Sequence, residues 1–498
     1  MREMGDFEQE IVELVTRFDC CTSRKDTNGL KTEISRANDL LAQNLSIEQI
    51  ANLNYSIATA YADIESIDFH SLSRSEIEEL QENYIYYYRA ALDNIEKIES
   101  DTNGLYQQLY TNAANAYSRV GRILEAMRLF GIASSKYKMF PMAFGNKGIS
   151  AYKLAFYTYD PNHAHILRHF AYFCLTGALK HKKYLDLHGN ASKYFEKIKV
   201  IIEGHYPKDY LDTPLDLGTY DFGKTKREQG FRKWATLETL YLDELNDIMT
   251  SPIVATDYIH LPSMIYDAGS ERWKFHYGMF NQIKQEYVSA RYLFYDGIQD
   301  RKSAHLADKE VLQIEIDMDV HSHGDYCIRT AFRTLYSVLD RIAFFINEYF
   351  ALGMKVDKVS FRSIWNEQNG NPSALLELCK NNDMLNSIYW LSKDLYEKNF
   401  KRTTKPSSKE FDTLRNRMEH RYAVSTLEEV PCGDDFTYRI STVDLYNKTL
   451  NLMKLVREAI IYLAFAIHIE ESKKRDEAVA QGKHIPQFKT NVMPDICK

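Results

Sequence analysis

Proline and glycine are scarce, 11 and 21 in 498 residues, so few positions break a helix or force a turn, and long uninterrupted elements are expected. Cysteine is sparse and unorganised. The seven, an odd number scattered from Cys20 to Cys497, form no CxxC pair, zinc spacing or disulfide framework, which points to a reducing cytoplasm. Long apolar runs are missing as well: the most apolar, Ala459 to Ile467, is far short of the roughly 20 residues that span a bilayer, and MREMGDFEQE lacks the apolar stretch of a signal peptide. No membrane role is expected. Positive charge is in deficit, with a net charge of -7, which argues against a protein that coats nucleic acid indiscriminately but leaves room for a local site. No phosphate-cradling glycine loop of the GxxxxGK[ST] or GxGxxG kind follows a strand pattern, the spelling GTYDFGKT over 218–225 standing in a turn-rich stretch, so ATP and NAD are not expected as cofactors, and the GISAY segment around Ser150 lacks the GxSxG elbow.

What is present is aromatic and helical in period. The chain holds 35 Tyr and 25 Phe, and its length invites two or three domains. From about Phe7 to Glu203 it reads as successive helices with short polar joints. In YTNAANAYSRVGRILEAMRLFGIA, the order Tyr110, Ala114, Tyr117, Gly121, Ala126, Phe130, Ala133 resembles a tetratricopeptide repeat, where small residues let paired helices approach closely. Ala116-Tyr117 recurs at Ala151-Tyr152, 35 residues on and near the roughly 34-residue repeat period. Ala60-Tyr61 fits only with an insertion, so one good repeat and two or three degenerate ones are read. An amphipathic bundle with packing alanines is the plainer alternative. As a repeat array, residues 1–205 would offer a concave face to a protein or peptide partner.

Residues 206–268 read as a linker and connecting helix: Pro207, Pro214, Gly218, Gly223 and Gly230 make HYPKDYLDTPLDLGTYDFGKTKREQG the most turn-rich stretch. A bundle of four or five long helices is expected over 269–475, then a polar tail over 476–498. Phe280, Ile283, Tyr287 and Ala290 step by three and four. So do Ile328, Phe332, Leu335, Leu339, Ile342, Ile346 and Tyr349, and again Leu452, Val456, Ala459, Leu463 and Ala466. Ala374 to Lys398 and a helix after Pro406 complete the set. The fold class is therefore all-α.

Chemistry concentrates in Lys405 to Tyr422, KPSSKEFDTLRNRMEHRY. Ser407 followed by Glu410 is a capping-box spacing just after Pro406, so a helix is expected to start there and run through the polar cluster. From Lys398 to Arg421 eight basic residues (Lys398, Lys401, Arg402, Lys405, Lys409, Arg415, Arg417, Arg421) face three acidic ones (Glu410, Asp412, Glu419), a basic island in an acidic chain.

Arg415, Asn416 and His420 resemble the signature of the HEPN superfamily, an Arg, a polar residue, a short spacer and a His; Tyr422 fits the stricter form with Tyr two positions after His. FRKW (231–234) with LETLYLDELND, the segment FNQIKQEYVSARYLFYDG and RTAFRTLYSVLDRIAFFINEYF resemble HEPN proteins of bacterial conflict systems that carry N-terminal repeats, over about Lys226 to Glu470. The resemblance implies a four-helix HEPN core, a homodimer with its cleft between protomers, and metal-independent cleavage of RNA; no cofactor and no metal are implied. It would make the chain a toxin or antiviral defence effector.

The residues themselves suit that chemistry. Cleavage beside a 2′-OH needs a base for that hydroxyl, an acid for the leaving 5′-oxygen and positive charge for the phosphorane. His420 shuttles protons near neutral pH, and Arg415 binds phosphate oxygens bidentately. Asn416 and His420, four apart, share a helix face, whereas Arg415 stands about 140° from His420 at roughly 100° per residue. Tyr422, seven from Arg415, would lie almost above it and stack on a base, with Arg417 and Arg421 adding phosphate contacts.

Simpler accounts stand beside this one. Arg415 to Tyr422 could be a solvated helix face in which Arg415 and Glu419 add helicity, and the whole could be a non-catalytic scaffold whose bundle dimerises or binds RNA. Asp340 and Asn347 read as helix-surface residues or as supports for the Arg or His. Asp317, Asp319, His321, His323 and Asp325 alternate in IDMDVHSHGD, superficially like the HxHxD ligands of a binuclear metallohydrolase, but an acidic loop before a long helix is the simpler reading.

Overall fold

The scarcity of helix breakers has its consequence in the computed structural model, which describes residues 7–98, 104–135, 140–187, 190–266, 270–302, 305–311, 319–366, 373–396, 403–420, 422–427 and 437–482, with the side chains of Ser407, His420, Tyr422 and Thr437 left out. Helices dominate throughout, so the fold is all-α. The chain divides into two units: Met1–Ala155 with His165–Asp216 and Trp390–Asp412, and Phe156–Ala164 with Leu217–Tyr389 and Thr413–Lys498. No helix among the described residues is long and apolar enough to cross a membrane.

In the first unit the helices are α1 (Glu8–Ser23), α2 (Thr27–Leu41), α3 (Ile47–Asp68), α4 (Arg74–Ile95), α5 (Leu105–Arg119) and α6 (Ile123–Ser135). The chain continues through α7 (Pro141–Tyr157, as far as Ala155), α8 (Pro161–Leu179, from His165 on), α9 (Lys182–Leu187), α10 (Ala191–Glu203) and α11 (Lys208–Asp212). Their starts are written in the sequence: Asp26 caps α2, and Ser46 with Gln49 and Ser73 with Glu76 close full capping boxes at α3 and α4. Helix α3 packs on α4 and α5 on α6. Gly121 turns the α5–α6 joint at φ 88°, a backbone that a side chain would strain. The six side chains of the repeat-like pattern, Tyr110, Ala114, Tyr117, Ala126, Phe130 and Ala133, are all buried.

A strap from much later in the chain, Trp390–Asp412, completes this unit. It is held by buried charge. Arg122 donates to Asp394 at 2.9 Å and also pairs with Glu125, which Arg89 grips from α4. Lys393 reaches Glu78 at 2.7 Å and Glu82 at 3.3 Å. Thr404 donates its N–H to the Lys393 carbonyl and its hydroxyl to Asp394. Burial alone would raise the Glu125 carboxyl, but Arg122, Arg89 and Arg128 hold it down at about 2.

The second unit contains α12 (Lys226–Leu237), α13 (Arg272–Asp300), α14 (His323–Tyr349), α15 (Ala374–Cys379), α16 (Asp383–Ser392, as far as Tyr389), α17 (Glu410–His420, from Thr413 on) and α18 (Thr442–Ala480). Helices α13, α14 and α18 pack together as its core. Ile328, Phe332, Leu335, Leu339, Ile342 and Ile346 of α14 are fully buried, and α13 contributes Phe280, Ile283, Tyr287 and Ala290. Close approach of α13 to α14 depends on Gly297 and Gly324: a Cβ on either would stand 2.6 or 2.7 Å from the other's carbonyl oxygen. Helix α18 differs from its expected one-faced pattern, because every residue from Ala459 to Ile467 is buried; a helix apolar all round is a central one. Instead of one long helix over Ala374 to Lys398, α15 and α16 are two short ones separated by Lys380–Asn382.

Between α12 and α13 the chain is mostly irregular, and two buried arginines hold it. Arg291 of α13 is bidentate to Asp257 at 2.8 and 2.7 Å, and Arg457 of α18 reaches Asp247 at 2.7 Å and the carbonyls of Tyr241 and Asp243. A small sheet adds the only strands described: β1 (Asp319–Val320) antiparallel to β2 (Tyr422–Thr426), itself parallel to β3 (Thr437–Ser441), with Tyr422 opposite Thr437 and Asp319 opposite Thr426.

Candidate functional site

Helix α17 carries the polar motif. It follows a 3-10 turn over Pro406–Ser408 and begins at Glu410, so Glu410 and Asp412 sit in its first turn, where acidic groups favour the helix dipole. Phe411 and Leu414 are buried, which fixes the face that α17 turns inward. Arg415 follows directly. Its Nε is 3.1 Å from Glu419, one turn on, its Nη1 donates to Asn416 at 3.0 Å, and its guanidinium lies 5.8 Å from the Tyr336 ring centroid on α14. The side chain keeps 31% exposure. Asn416 is exposed, and the Arg417 guanidinium lies 4.7 Å over the Tyr438 ring of β3.

His420 is the last residue of α17, with its backbone alone described; Arg421 lies outside the described residues. One geometric expectation is corrected here. Tyr422 does not extend the helix: it opens β2, in register with β3, so the seven-residue helical stacking of Tyr422 over Arg415 does not occur. The strand pairing of residues 422–426, rich in β-branched and aromatic types, outweighs helix propagation past His420. The shared helix face of Asn416 and His420 holds, because α17 runs unbroken between them.

The basic island also divides. Lys405 belongs to the first unit, where burial and the neighbouring Arg89 push its ammonium down to about 8. Lys398, Lys401, Arg402 and Arg421 lie outside the described residues, leaving Arg415 and Arg417 as the described cations on the second unit's part of α17. Arg415 has the planar fork that suits a phosphate, and an anion bound there would compete with Glu419 for it.

Tyr336 was not singled out from sequence. Its signal is faint, an aromatic with a polar tip one residue off the regular apolar stripe of α14. Asp340 and Asn347 have other work: Asp340 accepts from Phe361 N at 2.9 Å, while Asn347, buried, accepts from Met354 N and donates to Met354 O. They brace the chain after α14.

The alternating Asp/His run scatters. Asp317 is outside the described residues, Asp319 pairs with Arg439 at 3.2 Å, and buried Asp325 pairs with Arg301 and Arg329. His323 turns instead to Asp300 at 2.9 Å and stacks on His305, while Asp308 accepts the backbone N–H of both histidines. Among the described residues Asp300, His305 and His323 thus form a three-donor group that shares only His323 with the alternating run.

Residues 269–470 match the family described as LA2681-like HEPN, a span that holds α13, α14, α17 and the sheet. No curated protein and no solved structure matches the chain.

Proposed function

The C-terminal part of this chain is a HEPN domain, and on that premise we propose that the protein is a metal-independent endoribonuclease with its active centre on α17. His420 takes the proton of the RNA 2′-OH; O2′ attacks phosphorus, the P–O5′ bond breaks, the leaving 5′-oxygen takes a proton from water, and His420 returns its proton to solvent. Arg415 bears the charge of the phosphorane, and Asn416 holds the substrate beside His420. The products are a 2′,3′-cyclic phosphate and a 5′-OH. Tyr422, Arg417 and Arg421 bind the flanking RNA. The cleft is completed by a second protomer, which supplies the Arg or the His that a single helix holds about 140° apart.

The observation that carries this reading is the state of Arg415: a guanidinium set at the helix surface by Glu419 and Asn416, partly exposed and outside the buried ion pairs of the fold. The chain path supports regulated activity. The strap Trp390–Asp412 belongs to the helical first unit and runs directly into α17, giving a protein or peptide bound to that unit a covalent route to the catalytic helix. On this reading the enzyme is a triggered toxin or antiviral effector of the cytoplasm.

The test is incubation of wild type, Arg415→Ala and His420→Ala with total cellular RNA in EDTA, followed by end-group analysis. Cuts by wild type alone, ending in 2′,3′-cyclic phosphate, support the proposal. Growth arrest or phage protection that survives His420→Ala would instead identify a binding scaffold, the reading favoured by the Arg415–Glu419 pair as a plain helix contact. Light scattering tests the shared cleft: a monomer at micromolar concentration overturns it.

A further inference from the structure

Away from α17, two backbone stretches of the second unit converge on one cluster of donors. Ahead of α8, Asp160 accepts the N–H of Asn162 at 2.7 Å and of His163 at 3.1 Å, fixing the backbone that carries His163. After α12, Arg457 donates to the Asp243 carbonyl at 2.8 Å and fixes the backbone that carries Asp243 and Glu244. His163 Nδ1 stands 2.9 Å from Glu244 Oε1, and Thr158 donates to the same oxygen at 2.7 Å. One donor atom from each of His163, Asp243 and Glu244 lies within 4.8 Å of the others.

Two features exceed what a His–Glu pair requires. Adjacent carboxylates, Asp243 and Glu244, 2% and 1% exposed, are buried beside one imidazole, while Arg457 directs its fork to Asp247. Glu244 Oε2 is buried with no hydrogen-bond partner among the described residues. A buried carboxylate oxygen left without a donor is unfavourable, and a cation beside it is one group that satisfies it.

We propose that His163, Asp243 and Glu244 bind a divalent transition-metal ion of the zinc class. One imidazole and two carboxylates suit Zn²⁺ or Mn²⁺ better than Mg²⁺ or Ca²⁺, which prefer all-oxygen shells. Bond lengths of roughly 2.0–2.2 Å put neighbouring donors on the order of 3–4 Å apart, so the cluster closes on an ion with small side-chain rotations. Thr158 orients Glu244 from behind, and the His163 side chain, 13% exposed, leaves a way in. The ion ties the Phe156–Ala164 segment to the irregular stretch after α12, a structural role separate from RNA chemistry.

The rival cluster is built less well for this. The His305 and His323 rings stack at 4.0 Å with planes 15° apart, and His305 Nδ1 accepts from Ala307 N, so the two rings do not aim lone pairs at one point.

The experiment is elemental analysis and calorimetry on chelator-stripped full-length protein, titrated separately with Zn²⁺ and Mn²⁺. The expected result is one equivalent per chain for wild type and His323→Gln, a rise in melting temperature of several degrees, and about a hundredfold or greater loss of affinity in Glu244→Gln. Glu244→Gln keeps an oxygen acceptor for Thr158 and His163, so it is designed to fold. X-ray absorption of the wild-type Co²⁺ complex gives an answer that needs no variant: one imidazole in an otherwise oxygen shell is expected. Absence of stoichiometric binding by wild type, a shell with two imidazoles, or binding that survives Glu244→Gln and disappears in His323→Gln would overturn the assignment.

Discussion

Arg122, directly ahead of α6 in the first unit, and Arg415, on α17 in the second, both pair with a glutamate one turn on, yet their surroundings are opposite. Arg122 is 2% exposed and shares Glu125 with Arg89 and Asp394 with the strap; Arg415 is 31% exposed and has Glu419 and Asn416 at the surface. Charge buried with several partners is committed to the fold, since removing one member strands the rest without water. Charge at a surface pair remains available, because solvent already competes for it. The same residue type thus serves architecture in one unit and chemistry in the other.

The largest effect expected from this contrast is on activity. Arg415→Ala should lower RNA cleavage by about 10²–10³-fold or more, the scale of losing one charge-stabilising group at a transition state. Its unfolding free energy should change by less than about 1 kcal/mol. Arg122→Ala should do the reverse in denaturant melts, destabilising by about 3–5 kcal/mol as Glu125 and Asp394 lose their shared partner. Single-turnover rates and urea midpoints on the same preparations decide it. A large stability loss in Arg415→Ala would make that residue architectural too.

Acid titration sharpens the comparison from the first unit's side. Glu125 is held near 2 in the fold against an ordinary 4.5, so its contribution to stability is complete above about 4.5 and is lost as pH falls toward 2. Wild type should therefore lose stability more steeply over that window than Glu125→Gln, while Arg415→Ala follows wild type. Parallel curves for wild type and Glu125→Gln would mean that the arginines do not hold Glu125 ionised.

Periodicity made the architecture legible where burial is one-sided. The α13 stripe, the α14 stripe from Ile328 to Ile346 and the six side chains of the repeat-like pattern from Tyr110 to Ala133 are buried, because a 3.6-residue pattern maps directly onto a helix face. It was less informative where tertiary contacts decide. Nothing local says that Trp390–Asp412 folds with residues far earlier in the chain, since that depends on Asp394 and Lys393 meeting Arg122 and Glu78. The sheet was missed for a similar reason: β1 has two residues and gains its pairing only from β2. At the candidate site, spacing placed Arg415, Asn416 and His420 on one helix but carried Tyr422 past its end. Tyr336 and the His163–Asp243–Glu244 group are assembled from separate segments and have no sequence spacing to read.

The smallest effect isolates Glu419. If Arg415 is available, the pair competes with substrate: Glu419→Gln removes the competing charge and keeps the side-chain length. The pair spans one helical turn at 3.1 Å, so losing it should cost only about 0.3–0.5 kcal/mol of stability. RNA binding should tighten by a few-fold, measured by fluorescence anisotropy on the His420→Ala background to prevent cleavage. Added salt should shrink the gain, because free Arg415 meets phosphate through a screened charge. Weaker binding in Glu419→Gln would mean that the carboxylate positions the guanidinium for phosphate instead of competing with it, and Arg415 would then resemble Arg122 in needing its acidic partner to do its work.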